Sequence, residues 1–418
     1  MALTKSLRQK MFASISEGGF VLLIAASIAV GQLGVSLYLP AIPGIGHDLN
    51  ISSSLMAMTL SVYFAGFAFF NLFSGPFSDA LGRRFMILRG LEVYGIGTLL
   101  CAVSTDIPML LAGRTLQAFG AGVAPVVGKA IIQDISSEDR TVVLMGWLGA
   151  AIAITPAVAP FIGGIIIEHL KWPWIFWSLL IFNALVWLLN FSFLSETLSH
   201  RPSRRIPLVS VFKTYREFLG NRVYLGYILT LGACFGGLGA YYTASPFIFI
   251  HDFQLSPSLY GLITLIIATG FIAGNLSVGR LSRSRWSHRM LYIGKILLLI
   301  GALGIFCIPR GIITVAVVLG TTFIFTVGFG IIFPIATKEA LGCYVVQAGA
   351  ASALLGFVQL GISALSSLAV GFFQSQGMSS YTAMHSLCFC VPFLHLPVFA
   401  VFNAVDKLML TRPMTWSS

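Results

Sequence analysis

Long apolar runs, separated by short polar intervals, dominate this chain. They cover approximately residues 20–40, 55–77, 85–103, 109–132, 142–167, 175–194, 224–250, 259–278, 290–308, 312–335, 349–373 and 383–405. Each is close to the ~20 residues with which a helix crosses a bilayer. The pattern therefore predicts an all-α integral membrane protein with 12 transmembrane helices. The interval 196–223 contains His200-Arg201-Pro202-Ser203-Arg204-Arg205 and an amphipathic piece over 209–219. It divides the chain into a tail (1–19), a six-helix bundle (20–195), a linker (196–223), a second six-helix bundle (224–405) and a closing tail (406–418).

Composition agrees with the pattern. Of 418 residues 57% are hydrophobic and 9% charged, and the mean hydropathy is +0.91, which excludes a soluble domain. The formal charge of +11 would suggest nucleic acid in a soluble chain. Here the basic loops, from Lys5 to Arg412, fall on one side of the predicted spans, and only Lys171 and Arg310 fall on the other. That asymmetry puts both termini in the cytoplasm and makes lipid, not nucleic acid, the surrounding partner. The charged start and first apolar run imitate a signal peptide, but the run continues to about Pro40 and reads as an uncleaved first span. The six cysteines lie in or beside apolar runs without metal-ligand spacing, so they read as small core hydrophobes and no metal or cofactor is expected.

Between the second and third runs stands Gly75-Pro76-Phe77-Ser78-Asp79-Ala80-Leu81-Gly82-Arg83-Arg84. This reads as a tight hairpin at a membrane face, its glycines Gly75 and Gly82 permitting the chain reversal. Asp79 can take backbone N–H groups or a basic side chain. Arg83 and Arg84 can reach helix-terminal carbonyls or carboxylates of neighbouring helices. A fainter copy, Gly274-Asn275-Leu276-Ser277-Val278, closes the eighth run, which suggests an internal repeat with a substrate site between the halves.

Gly75-x-x-Ser78-Asp79-x-x-Gly82-Arg83-Arg84 resembles the hairpin signature of the major facilitator superfamily. Further landmarks resemble its bicyclomycin-resistance (Bcr/CflA) type of drug:proton antiporter: Leu37 to Pro43, Arg114 to Asp134, Pro156 to Gly164, Trp174 to Trp177 and Leu194 to Leu198. The resemblance implies a multidrug efflux fold of the bacterial inner membrane. It also implies that the hairpin, with Asp134, stabilises the state open to the outside. In the fifth span Pro156, Pro160, Gly163 and Gly164 match the antiporter motif that packs against the other half, with Thr155 where glycine is usual. The two prolines also predict a bent helix.

The family places an acid just before Tyr-Leu-Pro in the first span, whereas this chain has Ser36. Serine cannot carry a proton as a buried carboxylate does. Lys129 and Gln133 stand where arginines are common. Glu92 is the one acid clearly inside a span, either a displaced proton site or a structural partner of Lys129 or Arg89. Arg114 and Gln117 share a helix face at i and i+3, either lining a cavity and influencing proton exchange or snorkelling to water. Gln32 and Ser36, Tyr38, Tyr241 and Tyr242, and Gln359 and Ser363 are the other polar candidates for contact with substrate, or else bridges between helices. Lys295 reads as a snorkelling side chain, and His385 and His395 as hydrogen-bonded core histidines.

These features predict a monomeric carrier, not an enzyme, that exports drugs or metabolites by alternating access in proton antiport. A basic cavity without the first-span acid favours neutral or anionic cargo. Uptake of a siderophore, amino acid or other nutrient, uncoupled facilitation, and a non-transporting sensor are the alternatives.

Overall fold

The computed structural model describes residues 16–198, 208–281, 287–307, 314–344 and 347–384. Regular structure in them is entirely helical. The first predicted span comprises α1 (Glu17–Ser36), a 3-10 turn (Leu39–Ala41) and the short α2 (Ile42–Asp48). The next two are α3 (Ser53–Leu81) and α4 (Arg83–Ala102). The fourth is divided into α5 (Ile107–Ala121) and α6 (Ala124–Ile135), and the fifth and sixth are α7 (Glu138–His169) and α8 (Pro173–Phe193). The amphipathic piece of the linker forms α9 (Leu208–Gly220). There follow α10 (Arg222–Pro246) with a π turn (Phe247–Asp252), α11 (Pro257–Leu281), α12 (Ser287–Cys307), α13 (Val315–Gly342) and α14 (Ala348–Ser375). Among the described residues, ten stretches are long and apolar enough to cross a membrane. The twelfth predicted span lies outside the described residues beyond Met384, as do His385 and His395.

Polar residues at the run boundaries set the ends. Ser52, Asp106, Asn221 and Thr314 each accept a backbone N–H from the first turn of α3, α5, α10 and α13. Pro125, which has no N–H to give the carbonyl four residues back, accounts for the break between α5 and α6. α7, by contrast, continues unbroken through Pro156 and Pro160. The hairpin also differs from the sequence expectation. Gly75 and Pro76 belong to the body of α3, and the reversal is made at Gly82 alone, whose φ of +106° favours glycine.

Pro76 cannot donate to the carbonyl of Leu72, and that carbonyl is taken by the Tyr215 hydroxyl of α9 at 2.9 Å. The linker helix is thereby docked on the second span. Tyr215 and Phe218 are buried there with Tyr224.

The hairpin marks one side of the molecule, the basic face; the turns after α2, α4 and α7 mark the far face. Toward the far face the earlier and later helices press together. α14 lies on α3, where a Cβ on Gly371 would stand 2.9 Å from that of Ala57, and Ser367 donates to the Ala57 carbonyl at 3.2 Å. α7 meets α11 in the same region. Gly164 abuts Pro257 and Ser258, a Cβ on Gly261 would stand 2.5 Å from the Pro160 carbonyl, and the Ser258 hydroxyl donates to Glu168 at 2.6 Å. α2 rests against the π turn. Toward the basic face α14 still touches α3, where a Cβ on Gly356 would stand 2.5 Å from the Asn71 amide, while Val143, Trp147 and Ile154 of α7 are exposed.

Candidate functional site

Three groups of residues could work together. The first surrounds the hairpin. Arg83 is buried; its Nη1 lies 2.5 Å from both the Asp79 carboxylate and the Ser78 hydroxyl, and its Nε donates to Asp134 at 3.1 Å. The Thr197 hydroxyl donates to the same Asp134 oxygen at 3.1 Å. Glu196 accepts the backbone N–H groups of Arg83, Thr197 and Leu198 at 2.9, 3.1 and 3.2 Å. A carboxylate there faces the positive end of α4. Arg84 donates to the Phe191 carbonyl at 2.8 Å, near the end of α8. The network thus ties α3, α4, α6 and the chain after α8 together, while the Asp79 side chain remains 53% exposed.

The second group is a cage around Arg114. This guanidinium is fully buried and sandwiched between the rings of Tyr38 and Tyr63, 4.4 and 4.2 Å from their centres. Its Nη1 donates to the Gly34 carbonyl at 2.7 Å and to Gln117 at 2.9 Å; Nε and Nη2 have no protein partner. Gln117 in turn donates to Thr98 at 2.8 Å. The Tyr63 hydroxyl donates to the Gly31 carbonyl at 2.6 Å, and that of Tyr38 lies 2.9 Å from Thr59. Charge-assisted hydrogen bonds and two aromatic faces compensate part of the desolvation of this cation. Close approach of α4 and α5 makes the cage compact: a Cβ on Gly97 would stand 2.6 Å from the Gly113 carbonyl.

The third group is a set of polar and aromatic side chains on α1, α6 and α10. Lys129 of α6 is exposed, and no ion-pair partner reaches it among the described residues. Gln133, one turn further along α6, is exposed as well. On α1, Gln32 is half-buried, and its Oε1 is buried without a protein partner. On α10, half-buried Phe235 packs with Phe329 and Phe333 at 5.3 and 6.3 Å between ring centres.

The sequence model of the Major Facilitator Superfamily matches residues 24–370. The chain belongs to this superfamily. It is 31% identical over 346 residues to the uncharacterized MFS-type transporter YdgK of Bacillus subtilis (strain 168), covering 82% of this chain and 86% of that protein. It is 28% identical over 351 residues to Multidrug resistance protein D of Escherichia coli (strain K12), covering 83% and 87%. Among solved structures, a bacterial homologue of the human lysosomal transporter Spinster, in an inward-facing and unoccupied conformation, aligns with a TM-score of 0.70 at 14% identity, covering 96% of this chain and 100% of that one. Membership makes the molecule a multi-pass membrane transporter, not an enzyme.

In this facilitator several expected cavity residues are closed off. Arg114 and Gln117 are fully buried, so neither lines an open cavity nor snorkels to water. Tyr38 and Ser36 are likewise enclosed, because α1 is covered at its far end by the seal that includes Gly163 and Gly164. Tyr241 is buried, and Tyr242 is half-buried. Ser363 donates to the Phe235 carbonyl at 2.8 Å and so bridges α14 to α10; Gln359, one turn away, leaves its Nε2 without a protein partner. Glu92 pairs with Arg89 at 2.6 Å and accepts the Trp187 indole N–H at 3.2 Å, on the α8 side of α4. Lys295 is half-buried, its ammonium 5.6 Å from the centre of the Tyr292 ring. Sequence reasoning misses Tyr63, Thr98 and the roles of Glu196 and Tyr215. A lone tyrosine in an apolar span is the available signal for Tyr63, and an acid shortly after the sixth span is the signal for Glu196.

Proposed function

We propose that this facilitator exports small organic molecules, drugs or metabolites, across the bacterial inner membrane by alternating access, with its basic face in the cytoplasm. The observation that carries the reading is the far-face seal made by the α3–α14 and α7–α11 contacts; with Lys129 and Gln133 exposed in the opposite half, we read the molecule as having a vestibule open toward the basic face. Relatives named as multidrug resistance proteins support export. In this reading the working unit is a monomer. Switching opens the far seal and closes the basic face. The half-exposed carboxylate of Asp79 then meets the later helices, and the hairpin stabilises the state open to the outside.

Proton antiport of the Bcr/CflA type would need a titratable carboxylate on the pathway. Ser36 supplies none, and Glu92 is engaged with Arg89 and Trp187. These two facts favour a second reading of the energetics, in which carriage is uncoupled from protons. Flux of a drug panel in both directions across vesicles containing the purified protein, recorded together with proton movement, tests both. We expect efflux that survives Glu92→Gln and becomes proton-coupled in Ser36→Asp. Absence of any cargo flux would overturn export. Loss of proton movement in Glu92→Gln would restore antiport through the third span.

A further inference from the structure

The vestibule carries a cation without a counter-charge. We propose that Lys129 is the anchor for the cargo and that the cargo is an organic monoanion: an aromatic or aliphatic body bearing one carboxylate. This rests on the transport reading above and adds the substrate class to it.

Three observations converge on the lysine. It is exposed in the basic half of the first helices, and among the described residues no carboxylate lies within ion-pair distance of it. Among the first eight helices and the short chain after them, five carboxylates on the basic side are already committed: Glu17 to Arg140, Asp79 and Asp134 to Arg83, Glu92 to Arg89 and Glu196 to the start of α4. Others, such as Asp48, Glu168 and Asp252, sit at the far face. The other cation in the middle of the first helices, Arg114, is shut in its cage and cannot reach cargo in this state.

An ammonium on the wall of a water-filled but protein-enclosed space attracts anions more strongly than one on the outer surface, because the low-dielectric walls focus its field. Lysine also presents three donors on a flexible stem, which suits a carboxylate that arrives in varied poses. Gln133, on the same face of α6 and exposed, adds a neutral polar position. Phe235 and its neighbours offer an apolar surface for the body of the ligand. A lipophilic cation finds in this set no negative charge to meet Lys129's repulsion.

The test uses the full-length protein in nanodiscs and three probes: 1-naphthylacetate, its neutral amide, and the tetraphenylphosphonium cation. Equilibrium binding is measured for the wild type and for Lys129→Gln, Lys129→Arg and Lys129→Glu, with thermal unfolding as the check on folding. We expect the acid to bind better than the amide, and the cation to bind worst. Lys129→Gln should weaken the acid about tenfold or more, as expected for losing a hydrogen bond to a charged group, while leaving the amide unchanged. Lys129→Arg should retain the preference, and Lys129→Glu should reverse it toward the cation. A wild type that does not discriminate the acid from the amide, or a well-folded Lys129→Gln that still does, would overturn the assignment. Those results leave export itself standing, because that reading is judged by vesicle flux and not by charge selectivity.

Discussion

Arg114 brings a full charge to the middle of the first helices and meets two hydrogen-bonding oxygens and two aromatic faces there. Its neighbours separate the two kinds of stabilisation. Tyr63→Phe removes the bond to the Gly31 carbonyl and keeps the ring over the guanidinium, and should cost about 1 kcal/mol of unfolding free energy. Tyr63→Leu removes the ring as well and should cost about 1–2 kcal/mol more. Denaturant unfolding of both variants in detergent checks this; equal losses would mean that the ring contact contributes nothing. Arg114→Lys should also be destabilised, because a single ammonium cannot reach both the Gly34 carbonyl and Gln117 in the geometry of the planar guanidinium. The sequence singles out Arg114, Gln117 and Tyr38 as special, and they are. It places them on a cavity wall because a polar residue in an apolar span has two refuges, water or another polar side chain. Only the arrangement of α1, α3 and α4 around α5 decides between the two.

At the scale of elements, apolar runs alone locate the helices to within a few residues, since length and hydrophobicity are what a bilayer demands of a span. Interruptions inside the runs are less legible. Proline halts the fourth span at Pro125, yet is absorbed in α3 at Pro76 and in α7 at Pro156 and Pro160. For Pro76 the reason is visible in the Tyr215 hydroxyl, which takes the carbonyl that the proline leaves open. Tyr215→Phe should therefore cost about 1–3 kcal/mol, as for an unsatisfied buried acceptor. It should also loosen α9, seen as faster amide hydrogen exchange over 208–220; unchanged exchange would show that the aromatic packing of Phe218 holds the linker by itself. Gly164 tests the far seal. Gly164→Val pushes a branched side chain into the backbone at Pro257, so spin labels placed on α7 and α11 at the far face should move apart on average.

For the whole molecule, the hairpin network is confined among the described residues to the first eight helices and the short chain after them, while the seal at the opposite face joins earlier and later ones. The two therefore act on opposite sides of the same equilibrium. Arg83→Gln frees Asp79 and Asp134 to repel one another and removes the tie to α6. It should shift the population toward the state sealed at the far face, read as longer label distances across the basic face and slower turnover. A population that does not move would detach the hairpin from the switch.

The solitary lysine of the vestibule has one more consequence. A carrier that shuttles a monoanion with no accompanying proton transfers net negative charge in each cycle. In a cell whose interior is electrically negative, each ion leaving would be driven by about 2.3 kcal/mol per 100 mV of membrane voltage. Such an exporter is electrogenic and needs no acid at position 36: a valinomycin-imposed potassium diffusion potential, with no pH gradient, would be enough to run it.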